Sequence, residues 1–177
     1  VFDSGIGGLT VVDALTRHLP NETIYYVGDT ARVPYGNKSK TCIQQYALEI
    51  TNWLNKKDCK IIIVACNTAS ALALKYLSSV FPIPIIGVIE PGVSRGIRMN
   101  QNNKIAVLGT TATIRSNAYG EKIKAAKPET LVISKACPLF VPLAEEGWTE
   151  GEIPMQIAAN YLDDIKNEGV DTVILGC

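Results

Sequence analysis

Two cysteines stand where a strand would deliver them. Lys60-Ile61-Ile62-Ile63-Val64-Ala65 runs into Cys66, and Thr172-Val173-Ile174-Leu175-Gly176 runs into Cys177. Both runs are apolar, and the four β-branched residues Ile61 to Val64 have the composition of a strand buried on both faces of a sheet. In parallel α/β sheets, ligands bind beyond the C-terminal strand ends. Asn67 and Thr68 offer cap chemistry for a helix after Cys66. A helix N-terminus favours a thiolate, so Cys66 is expected to be acidified there. A lone cysteine at a strand end is more often a small core hydrophobe; the second cysteine in the same setting argues otherwise. Facing lobes would put the two thiols on opposite walls of one cleft.

Three chemistries suit such a pair. A redox disulfide is one, although no CxxC device is present. A cysteine hydrolase is another, but it needs a histidine nearby, and the only one, His18, falls late in the first helical stretch. There it reads as a solvated residue or a partner of the helix C-terminus. The third is proton transfer at a stereocentre: one thiolate removes a proton from Cα, and the opposite thiol returns one to the other face. No cofactor or metal is called for.

Further candidates surround this pair. Asp3-Ser4-Gly5-Ile6-Gly7-Gly8 is a glycine-rich turn at a helix start, suited to a carboxylate. It is not a GxGxxG fingerprint, because residue 10 is Thr10. Asp3 is either an N-cap or a partner for a substrate ammonium or a base. Pro34-Tyr35-Gly36 is a turn whose backbone and tyrosine hydroxyl could grip a ligand. Thr110 and Thr113 are cap or anion-binding hydroxyls, while Glu145 and Glu146 read as a solvated helix end. Tyr25, Tyr26, Trp53 and Tyr76 read as packing residues.

The elements that must position these groups alternate. A strand at Val1-Phe2 precedes the glycine turn and a helix with Val12, Leu15 and Leu19 on one face. Thr23 to Val27 is a second strand, and Ser39 caps a helix with Ile43, Tyr46, Ala47, Ile50, Trp53 and Leu54 as its apolar face. The helix after Cys66 should run to about Val80, and Ile85 to Ile89 is a fourth strand. Asn100-Gln101-Asn102-Asn103 carries no apolar residue and is the expected boundary region. The pattern then restarts with strands at Ile105–Leu108, Leu131–Ile133 and the Cys177 run. Asp3 to Cys66 spans 66 − 3 = 63 positions and Thr110 to Cys177 spans 177 − 110 = 67, which suggests a two-fold repeat. The expected fold is α/β: two similar lobes, 1–98 and 99–177, with mainly parallel sheets flanked by helices and the active site in the cleft between them. Val1 starts in mid-strand and Cys177 ends at a strand tip, so the chain is expected to be a fragment of something longer.

Bulk properties exclude several classes. With 17 basic and 17 acidic residues the formal charge is zero, which gives no case for nucleic acid or an anionic membrane. No apolar run approaches the ~20 residues of a membrane helix. Five cysteines without metal-type spacing favour thiols in a reducing cytoplasm.

Taken together, Val1-Phe2-Asp3-Ser4-Gly5-Ile6-Gly7-Gly8-Leu9, Val33-Pro34-Tyr35-Gly36, Ala65-Cys66-Asn67-Thr68-Ala69-Ser70, Gly109-Thr110-Thr111-Ala112-Thr113, Ala136-Cys137-Pro138-Leu139-Phe140-Val141-Pro142-Leu143 and Leu175-Gly176-Cys177 resemble the glutamate racemase family. These are cofactor-independent enzymes supplying D-glutamate for peptidoglycan. The resemblance implies Cys66 and Cys177 as the two acid/base residues, with Asp3 assisting Cys66. It implies Asp3, Ser4, Pro34, Tyr35, Gly36, Asn67, Thr68, Thr110 and Thr113 as substrate contacts, and Glu145 near the substrate amine. It also implies a cytoplasmic protein, glutamate as the small-molecule partner, and a homodimer. Each sulfur should then lie about 3–3.5 Å from Cα, the two roughly 7 Å apart. The remaining alternatives are an aspartate or related racemase, a non-catalytic amino-acid-binding module, and a dithiol redox protein.

Overall fold

The computed structural model describes residues 1–177, which divide into two compact units, Val1–Val88 and Ile89–Cys177. The first contains β1 (Phe2–Asp3), α1 (Leu9–His18), β2 (Val27–Gly28), α2 (Lys40–Asn55), β3 (Ile62–Val64), α3 (Asn67–Leu72), α4 (Leu74–Val80) and β4 (Ile85–Gly87). Its sheet is wholly parallel, in the order β2-β1-β3-β4. The core is built from Phe2 and Ile62 on the strands and from Ile43, Ala47, Leu54 and Leu77 on the helices, all fully buried. That is the face of α2 read from the sequence, and Ser39 caps the helix by accepting from Cys42 N at 3.2 Å.

The second unit contains α5 (Ile89–Met99), β5 (Lys104–Gly109), α6 (Thr111–Arg115), α7 (Ala118–Ala126), β6 (Leu131–Ala136), α8 (Phe140–Glu145), α9 (Glu152–Asn167) and β7 (Thr172–Gly176). Its sheet is again parallel, in the order β6-β5-β7. Ala106, Leu108, Cys137 and Ile165 form a core on one side, where Phe140 meets Tyr161 edge to face at 5.2 Å. On the other side α5 packs on β7 through Gly96, where an added Cβ would lie 2.7 Å from Ile174 Cδ1.

The two sheets share a topology. In each, the first strand is central, the second flanks it on one side, and the third, which ends at a cysteine, flanks it on the other. The ladders pair Phe2 with Val64 and Gly109 with Gly176. Continued past the strand ends, these registers set Ser4 beside Cys66 and Thr110 beside Cys177. The counterpart of Thr110 is therefore Ser4, one residue later than the Asp3 used in the sequence comparison.

Several expectations are corrected. The second strand is only Val27–Gly28 rather than Thr23 to Val27. Leu19 lies just past the end of α1 and is 50% exposed, so it is not part of a buried face. The run into Cys66 is not buried on both faces, since Ile61, just before β3, is exposed and Ile63 is half-buried. The helix after Cys66 is interrupted at Ala73, giving α3 and α4. Of the aromatics read as packing, Tyr25, Trp53 and Tyr76 are all exposed, and Trp53 instead lies under the Lys57 ammonium at 4.8 Å.

The amide run Asn100–Asn103 is a lock rather than a loose joint. Asp171 accepts from Gln101 N and Asn102 N, both at 2.9 Å, and from Asn100 Nδ2 at 2.6 Å. Asn102 Nδ2 donates to the Gly169 carbonyl, and Lys104 Nζ to that of Glu168. These bonds fasten the α5–β5 turn to the α9–β7 turn. Because α5 packs on α7 and β7, contacts divide the chain after Val88 and not after residue 98.

Candidate functional site

One group of candidate residues lies at the C-terminal ends of β1 and β3. Asp3 ends β1, nearly buried, and its Oδ2 accepts from Gly5 N at 2.9 Å. The carboxylate thus caps its own turn, and α1 begins at Leu9 without a side-chain cap. Cys66 is itself the N-cap of α3: its sulfur accepts from Ala69 N at 3.5 Å. Asn67 and Thr68, read as the capping residues, are the first two residues inside the helix. The Cys66 thiol also meets Ser4 Oγ at 3.5 Å.

Cys66 does not titrate as the sequence suggested. Burial pushes its thiol above the ordinary value, and the neighbouring Asp3 carboxylate pushes it further. Donation from Ala69 N–H and from Ser4 opposes this without reversing it. Desolvation outweighs a single capping N–H because the thiolate loses nearly all its water, and α3 is only six residues long. The consequence is a more basic sulfur that is less populated as thiolate.

The loop before α2 presents its backbone rather than its tyrosine. Tyr35 is 2% exposed, its ring packs 5.7 Å from that of Tyr46, and its hydroxyl donates to Asp29 Oδ2. Asp29 also pairs with Arg32 at 2.7 Å, and Arg32 reaches Glu49 and stacks 4.1 Å over Tyr46. Burial first, then the bond to Asp29, hold the Tyr35 phenol protonated. The expected hydroxyl grip is therefore corrected: the phenol is committed to Asp29. Pro34, Tyr35 and Gly36 retain only main-chain groups to offer.

A second group of candidates lies at the ends of β5 and β7, in the other unit. Thr110 caps α6 by accepting from Thr113 N at 3.2 Å, and the two hydroxyls are 3.0 Å apart, both buried. Cys177 follows β7 and acts electrostatically on Tyr119, whose phenol is pushed up to about 12, chiefly by burial. Gly176 lets β7 lie close to β5 and Tyr119: an added Cβ would be 2.8 Å from the Leu108 carbonyl oxygen and 3.1 Å from Tyr119 Cε2. Glu145 ends α8 and is exposed, as is Glu146. His18 lies exposed in the last turn of α1.

Two residues near the site carry roles that the sequence reading missed. Asp29 belongs to no motif; an acid directly after a strand end is its one signal in the sequence. Tyr26 was read as packing, yet its hydroxyl donates to the Gly5 carbonyl at 2.7 Å. No group of three His, Cys, Asp or Glu side chains is placed to hold a metal ion. A cavity of about 630 Å³ lined by Val1, Leu15, Tyr25, Cys59, Lys60 and Ile61 opens at the N-terminal ends of β1 and β3. That end of a parallel sheet is opposite to the one used for chemistry, and the cavity includes none of the candidate residues.

Comparison with known proteins bears on what these groups do. The sequence model of Asp/Glu/Hydantoin racemase matches residues 9–177. The glutamate racemase of Aquifex aeolicus is 54% identical over 177 residues, which are all of this chain and 68% of the relative. That of Geobacter metallireducens is 51% identical over 177 residues, 66% of its own length. A crystal structure of glutamate racemase from Francisella tularensis in complex with D-glutamate superposes with a TM-score of 0.93 at 44% identity, covering 99% of this chain and 66% of that one. The chain thus spans about two thirds of the length of the proteins it matches.

Proposed function

The chain belongs to the Asp/Glu/Hydantoin racemase family, and from that membership we propose that the whole protein interconverts L- and D-glutamate by proton transfer between Cα and two cysteines. The observation that carries this is identity of about half to glutamate racemases over the entire chain. A strand-end cysteine beside a hydroxyl residue in each unit supports it.

In one direction the Cys66 thiolate takes the Cα proton, the S–H bond forming as the C–H bond breaks. The electron pair left on carbon is then protonated on its other face by the Cys177 thiol, which becomes the thiolate. The reverse direction exchanges the two roles, so neither oxidant nor cofactor is consumed. A Cα proton is far less acidic than a thiol, so a basic sulfur suits the first step. Burial and Asp3 make Cys66 such a sulfur. The carbanion-like charge calls for N–H donors and exclusion of water. Main-chain groups of the Asp3–Ser4, Tyr35–Gly36 and Asn67–Thr68 segments, with Thr110 and Thr113, are the proposed substrate contacts, and Glu145 the partner of the amine. The reading includes a cytoplasmic homodimer that feeds peptidoglycan synthesis.

In the full-length protein, Cys66→Ser is expected to abolish racemisation while glutamate still binds, as read by circular dichroism of product and by calorimetry. Normal turnover by that variant would end the two-thiol mechanism. In D2O the product should gain deuterium at Cα. Supplying aspartate in place of glutamate separates the two racemase readings.

A further inference from the structure

We propose that Tyr26 is a positioning residue, which holds the Asp3–Ser4 segment against Cys66 by anchoring Gly5. Gly5 is fixed on both of its flanking peptides. Its N–H donates to Asp3 Oδ2 at 2.9 Å, and its carbonyl accepts from the Tyr26 hydroxyl at 2.7 Å. Two bonds on either side of one Cα restrict both of its dihedrals. They do so at a glycine, where no side chain would otherwise limit them. Ser4 is the preceding residue, and its hydroxyl is the one that meets Cys66 Sγ at 3.5 Å. What the Gly5 carbonyl does is therefore transmitted to Ser4 through one residue.

The phenol is itself held. Cβ atoms added at Gly8 and Gly28 would lie 3.1 and 3.3 Å from its ring carbons, and the one at Gly28 would collide with the Gly5 carbonyl oxygen. Two glycines thus leave a slot that the Tyr26 ring occupies, with few rotamers open to it. A water molecule could accompany the Gly5 carbonyl but could not fix its direction. Burial, Asp3 and Cys66 together push the Tyr26 phenol up to about 12, so it remains a donor throughout the range in which a thiol titrates.

The kinetic arm of the test rests on the racemase reading; the titration arm does not. In the full-length protein, the rate of Cys66 alkylation by iodoacetamide is followed against pH for the unsubstituted chain, Tyr26→Phe, Ser4→Ala and the double variant. Ser4 donation favours the thiolate, so loosening Ser4 should move the alkylation midpoint to higher pH. Greater access to the sulfur would alter the rate at every pH and leave the midpoint in place. Tyr26→Phe is expected to raise the midpoint, and to raise it less once Ser4→Ala is present, where only the Ser4 N–H remains to be loosened. In parallel, kcat/KM for glutamate should fall about 3- to 10-fold, the equivalent of one modest hydrogen bond, and less than about 2-fold in the Ser4→Ala background. An unmoved midpoint, or full additivity of the two substitutions, overturns the proposal. If the unsubstituted protein fails to racemise glutamate, the function falls and the titration still decides Tyr26. Phenylalanine fills the same slot; should that variant nevertheless not fold, exchange of the Tyr26 hydroxyl proton with solvent in the unsubstituted protein decides. A slowly exchanging hydroxyl supports the bond to the Gly5 carbonyl, and exchange as fast as that of a free phenol refutes it.

Discussion

Replacing Gly176 by alanine tests how closely the second cysteine depends on its strand. The added Cβ would be 2.8 Å from the Leu108 carbonyl oxygen and 3.1 Å from Tyr119 Cε2. Tyr119 can tilt, but the Leu108 oxygen is backbone of the central strand β5, whose ladder with β7 runs from Ile105↔Thr172 to Gly109↔Gly176. Relief therefore requires β7 to move away from β5 by a few tenths of an ångström, at the residue before Cys177. Overpacking of this kind costs about 1–3 kcal/mol. For a protein of this size each kcal/mol corresponds to about 2–4 °C, so Tm should fall by about 2–12 °C. The kinetic effect should exceed what stability alone explains. A displacement of about 1 Å can cost ~100-fold in rate, and a few tenths should cost about 10-fold in kcat. The assay is differential scanning calorimetry with racemisation of glutamate by the full-length variant, well below its melting temperature. A Tm within a degree of the parent, together with unchanged kcat, would refute the claim that close β5–β7 packing sets the position of Cys177.

Two further substitutions follow from the electrostatics. Asp3→Asn keeps an oxygen for the Gly5 N–H but removes the charge that disfavours the Cys66 thiolate; the alkylation midpoint of Cys66 should move to lower pH, and a rise would contradict the assigned sign. Asp171→Ala should lower Tm at pH 7 by releasing the Gln101, Asn102 and Asn100 donors. The Asp171 carboxyl is held below the ordinary carboxylate range, first by Thr172, so its contribution is complete above that range and lost as pH falls through the depressed folded-state value. The Tm gap between parent and variant should therefore close in acid, and a gap that persists there would mean the lock is not carboxylate-based.

What the sequence disclosed was whatever depends on near neighbours. The β-branched run before Cys66 and the 3.6-residue period of α2 report local patterning, and both mark elements that form. The misreadings share a non-local cause. Asn100–Asn103 has the composition of a linker, but its partner is Asp171, about 70 positions away. Tyr35 sits in a turn, where a hydroxyl would be free to grip a ligand, yet Asp29 closes on it from the strand end. Trp53 and Leu54 are both apolar and read as one face, but adjacent helical residues point about 100° apart; Leu54 takes the core and Trp53 the rim. The cap of α3 was displaced by one residue because cap preferences are drawn from oxygen acceptors, and here sulfur serves. The Cys66 thiol departs from its sequence expectation for a similar reason: a helix start is visible in sequence, whereas the loss of water around Cys66 depends on the surrounding packing.

The shared topology places a hydroxyl beside each thiol, Ser4 by Cys66 and Thr110 by Cys177, but it does not make the two alike. With Ser4 matched to Thr110, the counterpart of Asp3 on the central strand of the second unit is Gly109, which carries no charge. The carboxylate pressure that raises the Cys66 thiol is thus applied from a position that is empty of side chain in the other sheet. For a racemase this asymmetry has a defined limit. Enantiomers have equal free energy, so the equilibrium constant is one and kcat/KM must be equal in the two directions whatever the basicity of either sulfur. The difference between the thiols can appear only in how kcat and KM divide that common ratio at each pH. Asp3→Asn should therefore alter kcat and KM unequally in the L-to-D and D-to-L directions while leaving the two kcat/KM values equal to each other. A change of kcat by the same factor in both directions would refute the asymmetry between the two thiols.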